Sequence, residues 1–361
     1  MLDVDDLIHQ IRRNCDISDA QHAGLYSICG LALRLRDLYK WEKSLAPWEE
    51  GDSAEVLEWI GDKEQQWEKL AATNYRQLSI RDRSFDPFDT AGINAALESE
   101  GLFYGAGYAR SLKPTFFLAL IEDKRQIEGY TVYFLGRELA RDLLTLPALA
   151  QDQGIVVRQE SAKLYVWDQI LYMKKSGRAA LQFALENCGL TEQTPQALRP
   201  HLTTILAAQR DNYIYHEIGE LRDTIFDRTV WREVIAAYPH SPVELLARAV
   251  KDLLADTNAS GTLRHIIQAR QKAALAFYVA FCDGLALALF PELIDSFREF
   301  TRKHRWQVID HAVTAGHNTA RQYAEAIIDI HQAGRGRHDV QWTVDEIEKR
   351  LGLASLIAKK G

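Results

Sequence analysis

The chain has 361 residues, 47% hydrophobic and 26% charged. That is an ordinary globular balance, with apolar material enough for a core that needs no staples. Lys and Arg number 43 against 50 Asp and Glu, a formal net charge of −7, which excludes the basic footprint of a nucleic-acid binder. Cysteines at 15, 29, 188 and 282 form no CxxC pair and read as the reduced thiols of a cytoplasmic protein.

The opening MLDVDDLIHQIRR is acidic where a secretory leader is basic, and it has no apolar centre, so the expected localisation is cytoplasmic. Leu7, Ile11, Leu25, Ile28, Leu31, Leu35 and Leu38 recur at helical spacing. After the break SLAPWEEGDS, Ser53 is the expected cap of a helix carrying Val56, Leu57, Ile60 and Trp67. Trp41, Trp48, Trp59 and Trp67 crowd this stretch and are expected in a core. Residues 1–100 are therefore expected to form an N-terminal helical region.

GLFYGAGYARSLK, 101–113, reads as a glycine-punctuated loop. Gly105-x-Gly107 lacks the preceding strand and third glycine of a dinucleotide fingerprint. PTFFLALIEDKRQIEGYTVYFLG predicts a β-hairpin with strands at 115–121 and 130–135. RELARDLL predicts a helix, with Pro147 just beyond it, and GIVVRQE, 154–160, a third strand. Residues 101–160 are thus expected to be a small α+β insert of β-hairpin, helix and third strand.

Residues 161–361 read as a C-terminal helical domain, broken at TEQTPQ, AYPHSP, DTNASG, FPEL and AGRGRHD. Ser241-Pro242-Val243-Glu244 predicts a capping box. AALAFYVAFCDGLALALF, 273–290, is nearly all apolar with Asp283 near its middle. Its length is at the lower limit for a membrane span, and in an otherwise amphipathic chain it reads as a central core helix. Residues 295–332 are expected to form one long helix, with Trp306, Ile309, Val313, Gly316, Ala320, Tyr323, Ile327 and Ile330 as its seam. The fold class is mainly α, a helical bundle-like body carrying the α+β insert.

One stretch offers chemistry, YIYHEIGELRD at 213–223. If a single helix runs over about 197–226, Tyr213, His216, Glu217 and Glu220 continue the face begun by Leu198, Leu202, Ile205 and Leu206. Inward carboxylates need partners. His216 and Glu220, one turn apart, can grip one divalent metal ion, with Glu217 as general base toward a metal-activated water. Asp283 and His265 are the candidates for the remaining ligands. If the helix breaks near Gln209–Asn212, His216 and Glu220 instead join Asp223 and Asp227 on a solvated face. The motif is not HExxH, and no ExxH pair occurs that would signal a ferritin-like di-iron bundle.

Other motifs are weaker. DTNASGTLRHII, 256–267, matches a calcium loop at Asp256, Asn258, Ser260 and Gly261, but Ile267 stands where the bidentate Glu belongs and Arg264 at the ninth position. An interhelical turn is expected, with Asn258 and Gly261 in special backbone angles. Asp310-His311 reverses the His-Asp order of helical phosphohydrolases, and neither GxSxG nor a Walker loop occurs. Cys282 is expected to be an inert thiol in an apolar helix.

The segments FFLALIEDKRQIEGYTVYFLGRELARDLL, YHEIGELRDTIFDRTVWREVIAAYPHSPVELL and VKDLLADTNASGTLRHII resemble an uncharacterised family of bacterial cytosolic proteins, domains of unknown function. The likeness covers most of residues 105–300. It implies a bacterial origin and no activity, cofactor or catalytic residue. Two function classes follow from the residues. The favoured one is a non-enzymatic binding or scaffold protein with a protein or small-molecule partner, because no complete catalytic constellation occurs. The alternative is a metal-dependent hydrolase built on His216-Glu217-x-x-Glu220. Neither nucleic acid nor membrane is expected as a partner.

Overall fold

The computed structural model describes residues 2–282 and 284–358. They divide into two compact units, Met1–Asp168 and Gln169–Gly361.

The first unit opens with α1 (Val4–His22), capped by Asp3, whose carboxylate accepts from the Asp6 N–H. α2 (Ile28–Glu42) and α3 (Ser53–Leu70) follow. The cap of α3 is Asp52 rather than the expected Ser53, accepting from the N–H groups of Ala54 and Glu55. Trp67, with Leu35, Leu38 and Leu143, is buried in a satellite core that Trp41 and Trp59 flank. A two-stranded ribbon, β1 (Leu78–Ile80) and β2 (Arg83–Phe85), and α4 (Thr90–Leu97) lead into the sheet.

That sheet has five strands: β3 (Leu102–Tyr108), β4 (Pro114–Ile127), β5 (Tyr130–Arg141), β6 (Ala148–Gln151) and β7 (Gly154–Arg158). The order is β3-β4-β5-β7-β6, antiparallel throughout except for the parallel β5–β7 pair. β4 and β5 meet at a two-residue turn, Glu128-Gly129, with φ of 53° and 88°. Two successive positive φ values match the right-handed strand twist. α5 (Gln159–Leu171) crosses from the first unit into the second.

The expected insert and its boundary change here. The glycine-punctuated stretch 101–113 is not a loop, because 102–108 is the edge strand β3. RELARDLL is not a helix, because Arg137–Arg141 continues β5. Glu138 and Ala140 are buried while Arg137 and Leu139 are more exposed, the period of two of a strand. Helix propensity is worth only tenths of a kcal/mol per residue and yields to such burial. The division expected near residue 100 falls inside one core: Leu7, Ile11 and Cys15 of α1 pack with Leu102, Tyr104, Phe116, Leu118 and Ala140 of the sheet.

The second unit is helical: α6 (Arg178–Asn187), α7 (Pro195–Leu198), α8 (Leu202–Arg222), α9 (Arg228–Ala237), α10 (Pro242–Thr257), α11 (Thr262–Ala269), α12 (Lys272–Phe281), α13 (Gly284–Leu289), α14 (Glu292–Lys303), α15 (Trp306–Arg337), α16 (Val340–Leu351) and α17 (Leu353–Ala358). α10 packs on α8 and α15, and α11 and α12 also pack on α8. The Ser241 half of the capping box is present, its Oγ accepting from the Glu244 N–H at 3.2 Å, and the Glu244 carboxylate reaches back one residue beyond the cap, accepting from the His240 N–H at 3.0 Å.

The apolar stretch 273–290 is two helices, not one. α12 ends at Phe281, Cys282 is extended, and α13 starts at Gly284. Among the described residues no helix is long and apolar enough to cross a membrane. The single long helix expected at 295–332 is also split, where His304 takes a left-handed conformation and its N–H closes α14 on Phe300 O. The seam from Trp306 to Ile330 lies on the unbroken α15, with Tyr323 only half-buried.

Candidate metal centre

The centre is set by how closely α8 and α10 approach. A Cβ on Gly219 of α8 would come within 2.0 Å of Ala255 O of α10, so only glycine permits that spacing, and a Cβ on Gly261, in the turn between α10 and α11, would come equally close to the same carbonyl. Gly261 is needed for this proximity and not for a special angle. Its φ is −85° and that of Asn258 is −67°, both ordinary. Asn258 makes the turn through its side chain instead, Oδ1 accepting from the Ser260 N–H and Nδ2 donating to Gly219 O, each at 2.9 Å.

α8 is continuous from Leu202 to Arg222, and Asn212 lies within it unkinked. Asn212 Nδ2 donates to Ala274 O at 3.2 Å, tying α8 to α12. The helix ends before Ile225, yet its phase holds across the segment that carries His216, Glu217 and Glu220.

His216 and Glu220 are half-buried, with 28% and 22% of their side chains exposed, so the one-sided solvated arrangement does not describe them. His216 Nε2 lies 3.7 Å from Glu220 Oε1. Asp252 of α10, exposed to solvent, joins them: one ligand atom from each of the three lies within 4.8 Å of the others. The opposite ring nitrogen, His216 Nδ1, is 2.8 Å from Asp256 Oδ1. Asp256 also accepts from Thr262 Oγ1 at 2.8 Å and from the Tyr278 hydroxyl at 2.9 Å. A carboxylate on the far nitrogen fixes the ring and makes the near nitrogen a better ligand.

His216, Glu220, Asp256 and Lys251 are paired with one another. The Lys251 ammonium lies on Glu220 Oε1 and over the Trp231 ring, 5.0 Å from its centroid. Burial disfavours the His216 imidazolium, but Asp256, then Glu220 and Asp252, outweigh it and hold His216 well above the usual histidine range. Burial likewise opposes ionisation of Glu220, and Lys251 and His216 hold it below the usual carboxylate range. Burial and the Asp256 carboxylate push the Tyr278 phenol well up, so it remains a donor.

Of the residues expected from sequence, the structure brings together His216 and Glu220. Glu217 sits nearly buried on the stripe of Ile214 and Ile218 and is outside the ligand group. His265 is elsewhere on α11, its ring stacked on Tyr215 at 3.5 Å between centroids and its Nε2 3.5 Å from Asp211 Oδ2. Asp283 lies outside the described residues. Asp252 and Asp256 were missed. Their i, i+4 spacing on a helix was a usable signal, but Asp256 was absorbed into the calcium-loop comparison.

The first unit holds a second concentration of charge, fully buried and unforeseen. Lys113 Nζ lies 3.0 Å from Asp19 Oδ1 and 3.1 Å from Asp142 Oδ2. Arg158 grips Glu138 with two hydrogen bonds, at 2.9 and 3.0 Å, and Ser161 Oγ donates to Glu138 at 2.8 Å. Arg141 Nη1 faces Glu138 at 3.8 Å, while both its terminal amino groups are buried without a hydrogen-bond partner. Three cationic and three carboxylate side chains thus share one interior.

Comparison with known proteins yields two family models. One, an N-terminal domain, matches residues 6–158, and the other, a C-terminal domain, matches 163–350; both are described only as a family of unknown function. No curated protein matches, and no solved structure does. The boundary between the matches falls within α5's first residues, close to the division between the compact units. The candidate centre lies wholly in the C-terminal match, and the chain belongs to the family of unknown function DUF6866.

Proposed function

We propose that the C-terminal unit binds a divalent cation through His216, Glu220 and Asp252, and that metal-activated hydrolysis is the chemistry such a centre supports. The observation behind it is the convergence of those three ligand atoms, with Asp256 holding the far nitrogen of His216. One imidazole and two carboxylates suit zinc, manganese or iron, and three protein ligands leave a position for water. A bound cation would lower that water's pKa toward neutrality, so this reading does not use Glu217 as a base. Lys251 on Glu220 is then the cation of the metal-free state, displaced on binding. The His216 proton must also leave, so affinity rises with pH.

A second reading, a non-enzymatic binding or scaffold protein, is favoured by the same ion pairs. Asp256 with His216, and Glu220 with Lys251, form a network that ties α8, α10, α11 and α12 together without a metal.

Calorimetric titration of zinc or manganese into the full chain separates the two. The metal reading expects one site, tighter at about pH 8 than at about pH 6. Asp252→Asn and Glu220→Gln should abolish it, and Asp256→Asn should weaken it about 10–100-fold. Lys251→Ala should tighten it. Absence of saturable binding, or binding indifferent to these substitutions, overturns the metal reading and leaves the network one.

A further inference from the structure

The chain is acidic overall, yet one cleft of the first unit is strongly basic. It occupies about 950 Å³ between α1, α3 and the segment 71–77. Five Lys and Arg line it, Arg12, Arg13, Lys63, Lys69 and Arg76, against two carboxylates, Asp16 and Glu42. Both carboxylates are already committed to Lys63, whose Nζ lies 3.4 Å from Asp16 and 2.8 Å from Glu42. Gln66 Nε2 also donates to Asp16, at 2.8 Å.

The other cations have no counter-charge. Arg12 Nε donates to Leu139 O at 3.1 Å and its guanidinium lies over Trp41, neither of which neutralises it. The side chains of Arg13, Lys69 and Arg76 make no hydrogen bond or ion pair among the described residues. The wall that carries Arg76 is held in place. Fully buried Asn14 donates from Nδ2 to Arg76 O and accepts from the Arg76 N–H through Oδ1, each at 2.9 Å. Gln21 Nε2 adds a bond to Thr73 O at 2.8 Å. The cations therefore project from a fixed backbone, which reduces the ordering cost of ligand capture.

Like charges gathered in a concave site are unfavourable unless a ligand of opposite charge repays them. The cleft's volume is that of a small-molecule site, and guanidinium forks match phosphate oxygens two at a time. Among the described residues no Phe, Tyr or Trp lines it and His9 is its single aromatic ring, so the row of stacking platforms of a single-strand nucleic-acid groove is missing. We infer that this cleft binds a small, multiply charged anion of the phosphate class. The inference concerns the N-terminal unit and stands independently of the metal reading.

The test is titration of inorganic tripolyphosphate into the full chain by calorimetry, in about 0.1 M salt. One saturable site is expected, weakening as salt rises. Arg13→Ala and Arg76→Ala should each lower affinity about tenfold, the effect of losing a charge-assisted hydrogen bond. Arg76→Lys should recover part of the loss, and Arg298→Ala, on α14 of the other unit, should change nothing. Because Asn14 holds Arg76 by its backbone, truncating the side chain leaves the clamp intact, and an unchanged far-ultraviolet circular dichroism spectrum checks this. Three results overturn the inference: no saturable binding, equal affinity in the arginine variants, or a short single-stranded DNA that binds more tightly than tripolyphosphate.

Discussion

Glu138→Gln should remove a large part of the N-terminal unit's stability. Glu138 is fully buried and accepts three hydrogen bonds, two from Arg158 and one from Ser161. Burial opposes its ionisation most strongly, yet Arg158 and Arg141 hold the carboxyl below its usual range, so the substitution removes a real charge at neutral pH. The shape is preserved, but one amide nitrogen must then face an Arg158 donor, and Arg158 and Arg141 are left without their shared counter-charge. Breaking a buried ion pair from one side costs about 3–5 kcal/mol. Native-state hydrogen exchange resolved on peptides of β5 and β7 measures the opening free energy of this unit separately from the helical one. Peptides of α10 and α15 serve as the internal reference. A loss on β5 and β7 below about 1 kcal/mol, the level of an exposed ion pair, would refute the reasoning and show that the buried charges are dispensable.

Two more consequences follow from the same packing. Burial pushes the Asp19 carboxyl up to about 7 from an ordinary 3.8, with Lys113 pulling the other way and Asp142 adding to the rise. The folded chain therefore holds this proton more tightly than the unfolded chain. Asp19's contribution to stability is complete below about pH 4 and is lost as pH rises toward 7. Asp19→Asn should flatten the stability–pH curve in that window, measured by denaturant unfolding at several pH values; an unchanged slope counts against the assignment. In the second unit, Gly219→Ala would drive a methyl into Ala255 O, so α8 and α10 must separate. The expected cost is about 1–3 kcal/mol, with a fall in the His216 pKa followed by NMR as Asp256 is drawn away. Retention of both values would mean that the helices adjust without disturbing the centre.

The fold class and several local devices were legible in the chain itself. Helical periodicity located α1, α8 and α15, and the Ser241–Glu244 box marked the start of α10. The strand-rich character of 115–121 and 130–135 marked the hairpin. These signals are local, since propensity, capping and side-chain period act within a few residues. The inward phase of His216 and Glu220 was legible for the same reason, given an unbroken α8.

What only the tertiary structure decided is which distant groups meet. Arg137–Arg141 carries helix-forming residues, yet Glu138 pairs with Arg158 of the neighbouring strand β7 and the segment becomes β5. The i, i+4 spacing of Asp252 and Asp256 puts them on one face of α10 but does not say which helix that face meets, because the meeting with His216 depends on Gly219 letting α8 approach the Ala255 carbonyl of α10. The apolar run at 273–290 hides its break at Cys282, and His304 hides the one after α14, since backbone reversals driven by packing leave composition unchanged. Short-range periodicity is written residue by residue, whereas the pairing of charges is chosen by whichever partner the folded interior brings within reach, and burial then makes that choice costly to undo.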